Sequence, residues 1–244
     1  MNKVWAIAKR DFQSYFASPV AYIVLTVYMV LSGFFFYSII SYFARNESMN
    51  MPYNVEIRAL INNMAVMLLF VTPMLTMKLF AEEKKMGTLE LLLTSPVTLT
   101  HIVLGKFLAA SLLLGTMIGV SLQYPAFLIS FGNPDPGPLF SAYLGFTLLG
   151  LSFIAVGVFA SSLTENQIIS TMISFGFLLI FWMIGWVADG LTGMAGRIVS
   201  SLSLLSHLES FTKGMLDLTD ITFYVSVIVF FLFMTVRRLE WGRW

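Results

Sequence analysis

Six apolar runs, each bounded by charged or turn-forming residues, set the pattern of the chain: about Val20–Tyr42, Met64–Phe80, Ile102–Ile129, Ala142–Leu163, Ile168–Val187 and Ile221–Val236. About 20 apolar residues in helical conformation cross a hydrocarbon core of ~30 Å. Helices satisfy their own backbone hydrogen bonds there, so each run predicts a membrane-spanning helix. Ahead of the first run, Asn2–Ser18 alternates Val4, Ala8, Phe12, Tyr15 and Phe16 with Lys3, Lys9, Arg10, Gln13 and Ser14. That alternation predicts an amphipathic helix lying in the membrane interface, with Pro19 turning the chain into the bilayer. The run after it exceeds a signal-peptide core, so the segment is expected to be retained.

The connections are as patterned as the runs. Ala44–Asn63 is polar, with Arg45, Glu47, Glu56 and Arg58 balancing in sign, and reads as a loop. Pro73 predicts a kink in the second span. Gly115 and Gly119 in the third either admit a close neighbour or face lipid. Phe131–Pro138 holds three prolines and two glycines and reads as a loop. The fourth span carries a small-residue stripe of Gly145, Gly150, Ser152, Ala155, Gly157, Ala160 and Ser161, and Thr164–Gln167 forms a tight polar hairpin. Gly190–Asp220 mixes Arg197, His207, Glu209, Lys213 and Asp217 with regularly placed apolar residues, which fits one or two interfacial or re-entrant helices.

Composition places the whole chain in one class. Apolar residues make up 58% and charged residues 11%, with a mean hydropathy of +0.84, against about one quarter charged in soluble domains. The expectation is an all-α membrane protein with one membrane domain over residues 1–244. A net charge of +1 without a basic, aromatic-laced patch argues against nucleic acid. Cysteine is absent, which removes thiolate metal sites and disulfides. In a six-span arrangement, ten of the fourteen Lys and Arg residues fall on one side: Lys3, Lys9, Arg10, Lys78, Lys84, Lys85, Lys106, Arg237, Arg238 and Arg243. The positive-inside rule then puts both termini in the cytoplasm.

Between spans two and three lies a charged island, Ala81–Pro96. Glu82, Glu83, Lys84 and Lys85 precede Gly87, which interrupts the chain; Thr88 can cap a new helix, Glu90 sits in its positive first turn, and Pro96 ends it. Leu89, Leu92 and Leu93 share one face. On spacing alone, a docking surface and a solvated loop with one frayed turn are equally good readings.

The order Glu82-Glu83, Gly87-Thr88-Leu89-Glu90-Leu91-Leu92, Ser95-Pro96 and Gly105-Lys106 resembles the signature of permease subunits of ABC-2-type transporters. Arg10-Asp11-Phe12 with Tyr15–Tyr22 is similar to their amino-terminal elbow. Phe211-Thr212-Lys213-Gly214-Met215-Leu216-Asp217 resembles the gliding-motility-associated, GldF-like branch. The resemblance implies six transmembrane helices, an elbow helix, and a cytoplasmic coupling helix that meets a separate ATPase through Glu82, Glu83, Gly87, Thr88, Glu90, Leu91, Leu92 and Pro96. It implies two ATPase copies that bind ATP and Mg, a second permease copy or a homologous permease, and a companion membrane protein with an extracytoplasmic domain. It further implies export across a bacterial-type inner membrane. The other reading is a membrane scaffold that uses the same ATPase for mechanical signalling without transport.

Nothing in the sequence supplies ATP chemistry directly. No G-x-x-x-x-G-K-[ST] occurs, and Gly190–Gly196 lacks the Lys and hydroxyl that hold phosphate and magnesium. His101 and His207 are expected on opposite sides of the membrane, too far apart to share a metal. No ionisable residue stands out at membrane depth as an ion carrier would need.

Overall fold

The computed structural model describes residues 3–45, 54–89, 97–131, 134–191 and 193–241, and secondary structure among them is helical, without strands. In chain order the helices are α1 (Lys3–Ala17), α2 (Pro19–Arg45), α3 (Asn54–Thr76), α4 (Lys78–Lys85), α5 (Leu99–Ser121), α6 (Gln123–Phe131), α7 (Pro136–Leu163), α8 (Gln167–Asp189), α9 (Met194–Ser200), α10 (Leu204–Thr212) and α11 (Leu218–Trp241). Six stretches are long and apolar enough to cross a membrane: Pro19–Tyr42, Ile57–Lys85, Leu99–Ser130, Pro136–Leu163, Gln167–Val187 and Leu218–Trp241.

The bundle is assembled around α7, which packs against α3, α5, α8, α10 and α11. Its small-residue stripe is the reason. Without a hydrophobic force between helices in lipid, close approach needs small side chains. An added Cβ at Gly145 would meet Phe211 of α10 at 2.6 Å, at Gly150 Leu114 of α5 at 2.7 Å, and at Gly157 Thr76 of α3 at 2.1 Å. Gly115 and Gly119 behave differently, with nothing within 4 Å of an added Cβ, so neither serves packing inside the protomer.

Three boundaries differ from the sequence reading. The stretch 54–63, expected within a loop, is the start of α3. Its Ile57, Leu60, Ile61 and Met64 are buried at helical spacing, while Arg58 reaches Glu209 at 3.5 Å. The fourth span, α7, begins at Pro136 rather than Ala142. Asp135 caps it by accepting from the Gly137 N–H at 3.1 Å, and prolines in a first turn lose no intrahelical bond. The third span is not one helix: it breaks at Leu122 between α5 and α6. Pro125 has no N–H to offer the carbonyl of Ser121, and the Tyr143 hydroxyl donates to that oxygen instead, at 3.0 Å.

The second span is also interrupted, at Met77, four residues beyond Pro73. The cause is a side chain inserted into the hydrogen-bond ladder. Ser161 Oγ of α7 accepts from the N–H groups of Phe80 (3.0 Å) and Ala81 (3.2 Å) and donates to the Met77 carbonyl (3.0 Å). Met77 itself provides no side-chain cap, so α4 is capped from another helix. Tyr15 of α1 donates to the Leu75 carbonyl at 2.7 Å on the other flank of the break.

The segment between α8 and α11 forms two short helices, α9 and α10. Ser203 caps α10 by accepting from Ser206 N–H at 3.2 Å, and buried Leu204, Leu208 and Phe211 seat it on the bundle. Ser141 donates to the Phe211 carbonyl. The expected hairpin before α8 is present, with Asn166 Oδ1 accepting from Ile168 N–H at 2.9 Å.

Candidate coupling site

The charged residues that close span two sit on α4, and their surroundings follow from where α1 docks. Gly105 on α5 leaves room for it, since an added Cβ would meet Ile7 at 2.7 Å. With α1 in that position, Asp11, Lys106 and Glu83 converge from three different helices.

Lys106 is buried to 2% exposure, about two turns inside α5, yet it is fully paired. Its Nζ lies 2.8 Å from Glu83 Oε1 and 3.2 Å from Asp11 Oδ2, with the Phe80 ring centroid at 5.2 Å. Arg10 completes the cluster, at 2.8 Å from Asp11 and 3.1 Å from Glu83. Two cations and two carboxylates thus neutralise one another, which is the condition for keeping charges out of water. Burial lowers the basicity of the Arg10 guanidinium, but Asp11 and Glu83 more than offset this and raise its pKa. Burial, with the Asp11 charge adding to it, also raises the Tyr15 phenol, which keeps it a hydrogen-bond donor to Leu75.

Beyond this anchored root the helix ends in a turn that leaves Leu89 buried against the core. Met86 N–H donates to the Glu82 carbonyl at 3.0 Å and Gly87 N–H to the Lys84 carbonyl at 3.1 Å. Gly87 has a φ of 69°, the left-handed conformation that ends helices and that a side chain resists. Thr88 and Leu89 are helical again, and the Thr88 hydroxyl donates to the Glu83 carbonyl at 3.3 Å. Lys84 reaches across to the Ser162 carbonyl at 2.5 Å. It also lies within electrostatic range of Arg238 and Glu165, so the ends of α4, α7 and α11 meet on one side of the bundle.

The sequence-predicted site residues therefore fall into two groups. Glu82, Glu83, Gly87 and Thr88 are described, with Glu83 turned inward onto Lys106 and Glu82 lining a groove beside α1. Glu90, Leu91, Leu92 and Pro96 lie outside the described residues, as does Leu93. Sequence reasoning had Asp11 and Lys106 only as parts of a motif. Their signal was a lone Lys four residues into an apolar run, which must find a carboxylate.

No cluster of three or more metal-ligating side chains occurs among the described residues. His101 lies in the first turn of α5 against Thr98. His207 belongs to another part of the bundle: its Nδ1 lies 2.5 Å from Asp220 Oδ1, its Nε2 3.1 Å from the Ser201 carbonyl, and its ring stacks on Phe223 at 4.0 Å. This buried pair, missed in the sequence, ties α10 to α11.

No curated protein matches the chain. Residues 5–237 match the sequence model of the ABC-2 family transporter proteins, a span that takes in most of α1, the charged root, five membrane-crossing stretches and all but the last turn of the sixth. The chain belongs to the ABC-2 transporter family, as an integral, multi-pass permease subunit.

Proposed function

We propose that the protein is one half of an ATP-driven exporter of the cytoplasmic membrane, in which the island from Glu82 to Pro96 docks onto a separate ABC ATPase. The single observation that carries this reading is the anchored root. Glu83 is clamped by Lys106 and Arg10, and one turn later Gly87, in the left-handed conformation, ends α4. A segment held so firmly at its base can transmit displacement, whereas a solvated loop would dissipate it. Glu90 in the positive first turn of the following helix supplies a carboxylate for an Arg or Lys groove, and Leu91 and Leu92 supply apolar contact. ATP and Mg belong to the ATPase, two copies of which serve two permease halves related by symmetry. The second half is another copy of this chain or a homologous permease. The gathering of α4, α7 and α11 ends with the basic residues supports a cytoplasmic location for this side and for both termini. The segment Phe211–Asp217 supports assignment to the gliding-motility-associated, GldF-like branch, and with it a companion membrane protein bearing an extracytoplasmic domain.

The test is co-purification of the ATPase with variants of the island. Glu90→Lys reverses a charge at a desolvated contact and is expected to weaken docking by several kcal/mol. Gly87→Val opposes the positive φ and is expected to do the same without touching the ATPase. Full docking and ATP turnover by both variants would reduce the island to a loop. Intact docking with ATP turnover but no cargo movement in vesicles would favour a scaffold that signals without transport.

A further inference from the structure

Between α1 and the α3–α4 arm runs a groove of about 340 Å³, within the ~300–1,000 Å³ range of small-molecule sites. Its two walls run in opposite directions, because Arg10 faces Glu83 while Tyr15 faces Leu75. One end of the groove is therefore charged, with Arg10, Glu82 and Glu83, and the other is apolar, with Val20 and Met74. Lys78 and Ser14 lie on the walls as well.

Two features of the lining call for a ligand. Lys78 and Glu82, one helical turn apart on one face, are spaced as an i,i+4 pair would be. Among the described residues they make no ion pair with each other or with any neighbour, while the four other charged groups of the groove satisfy one another. In addition, Glu83 Oε2 is buried without a hydrogen-bond partner, an acceptor awaiting a donor. An unpaired cation, an unpaired carboxylate beyond it and a spare acceptor beside that carboxylate are complementary to a zwitterion. The anion must sit nearer the apolar end and a hydrogen-bearing ammonium nearer the charged end.

The apolar end does not close. Met74, Phe70 and Val66 continue the column of Lys78 and Glu82 at four-residue spacing along α3, and all three are exposed. A ligand whose anion lies at Lys78 can extend an alkyl chain along this column into the bilayer.

We propose that this groove binds a glycerophospholipid whose phosphate carries a primary ammonium, the phosphatidylethanolamine class. Its phosphate pairs with Lys78, its ammonium donates to Glu82 and to Glu83 Oε2, and an acyl chain follows Met74, Phe70 and Val66. The turn of about 6 Å between Lys78 and Glu82 is comparable to the reach of an ethanolamine bridge. A choline headgroup has no N–H for Glu83, and a glycerol headgroup, although it can donate hydrogen bonds, carries no positive charge to offset Glu82. The site does not depend on the docking reading, and the lipid would brace α1 against α4 in the permease alone.

The experiment is native mass spectrometry of the delipidated full chain titrated with dioleoyl phosphatidylethanolamine, phosphatidylcholine or phosphatidylglycerol, and with soluble glycerophosphoethanolamine as competitor. The expected result is one phosphatidylethanolamine retained about tenfold better than the other two lipids, not displaced by the soluble headgroup at equal concentration. Lys78→Met and Glu82→Gln, both at partly exposed positions, should each lose about tenfold in retention, and Ser14→Trp should block the groove sterically. Equal retention of the three lipids, or unchanged retention in all three variants, would overturn the proposal. Displacement by the soluble headgroup would overturn the lipid assignment in favour of a soluble phosphoethanolamine ester.

Discussion

Replacing Lys106 with Met probes the anchored root directly. The aliphatic stem is retained, so packing against Phe80 changes little, but Asp11 and Glu83 lose their shared cation. Both carboxylates are mostly buried, at 12% and 14% exposure, and the neutral set of four becomes a set of three with net charge −1. Breaking a buried pair by removing one partner typically costs ~3–5 kcal/mol. Arg10 still lies 2.8 Å from Asp11 and 3.1 Å from Glu83, and its side chain, at 53% exposure, has room to move inward. The expected loss is therefore at the low end, ~3 kcal/mol, about a hundredfold in the folding equilibrium. Reversible unfolding in mixed micelles reads the loss, and limited proteolysis between Met86 and Thr98 reads its location. Glu83→Gln in the Lys106→Met background removes the stranded charge, so the double variant should recover at least ~1 kcal/mol relative to additivity. Additive effects, or a Lys106→Met loss below ~0.5 kcal/mol, would refute the claim that this cluster holds the root of the island.

Other outcomes follow from the same structure. Gly157→Ala puts a methyl 2.1 Å from Thr76 Oγ1 and should cost ~1–3 kcal/mol in the same unfolding assay, partly restored by Thr76→Ala; Gly115→Ala, with no neighbour within 4 Å, should leave protomer stability unchanged. Asp217 accepts from Thr219 N–H at 2.9 Å ahead of α11, and the hydrogen bonds from Thr219 lower its pKa. Its stabilisation is complete above the ordinary carboxylate range and fades as pH falls through the lowered value. Asp217→Asn should keep the cap at neutral pH and blunt the acid-induced drop in melting temperature. A reporter active only in the cytoplasm should work after Trp244 and fail near Pro136; the reverse pattern would invert the topology and overturn the proposed docking.

The six spans were legible because hydrocarbon imposes a length and an apolar composition that few other demands can imitate. The misplaced boundaries came from polar residues doing local work. Glu56 and Arg58 suggested a loop, although Ile57, Leu60, Ile61 and Met64 already carried the helical period beneath them. Pro136 and Pro138 suggested a breaker where they in fact open a helix. Pro73 was visible as a source of irregularity, but the interruption falls where Ser161 enters from α7, a partner 84 residues away from Met77 that no local rule could supply. The charged root was half legible. Glu82, Glu83 and Gly87 marked the island, whereas the inward turn of Glu83 depends on Asp11 and Lys106 arriving from other helices.

The break at Met77 decides how α4 can move. In a continuous helix, the far end swings only if the rod swings with it. Here Met77 N–H still bonds the Pro73 carbonyl, but the Phe80 and Ala81 N–H groups and the Met77 carbonyl are engaged by Ser161, and the Leu75 carbonyl by Tyr15. The joint is consequently pinned, with its fulcrum on α7 and a stay on α1. A push at Gly87 is delivered as torque to the helix that touches α3, α5, α8, α10 and α11, and it need not travel up α3 at all. Input at the rim reaches the hub of the bundle in a single step.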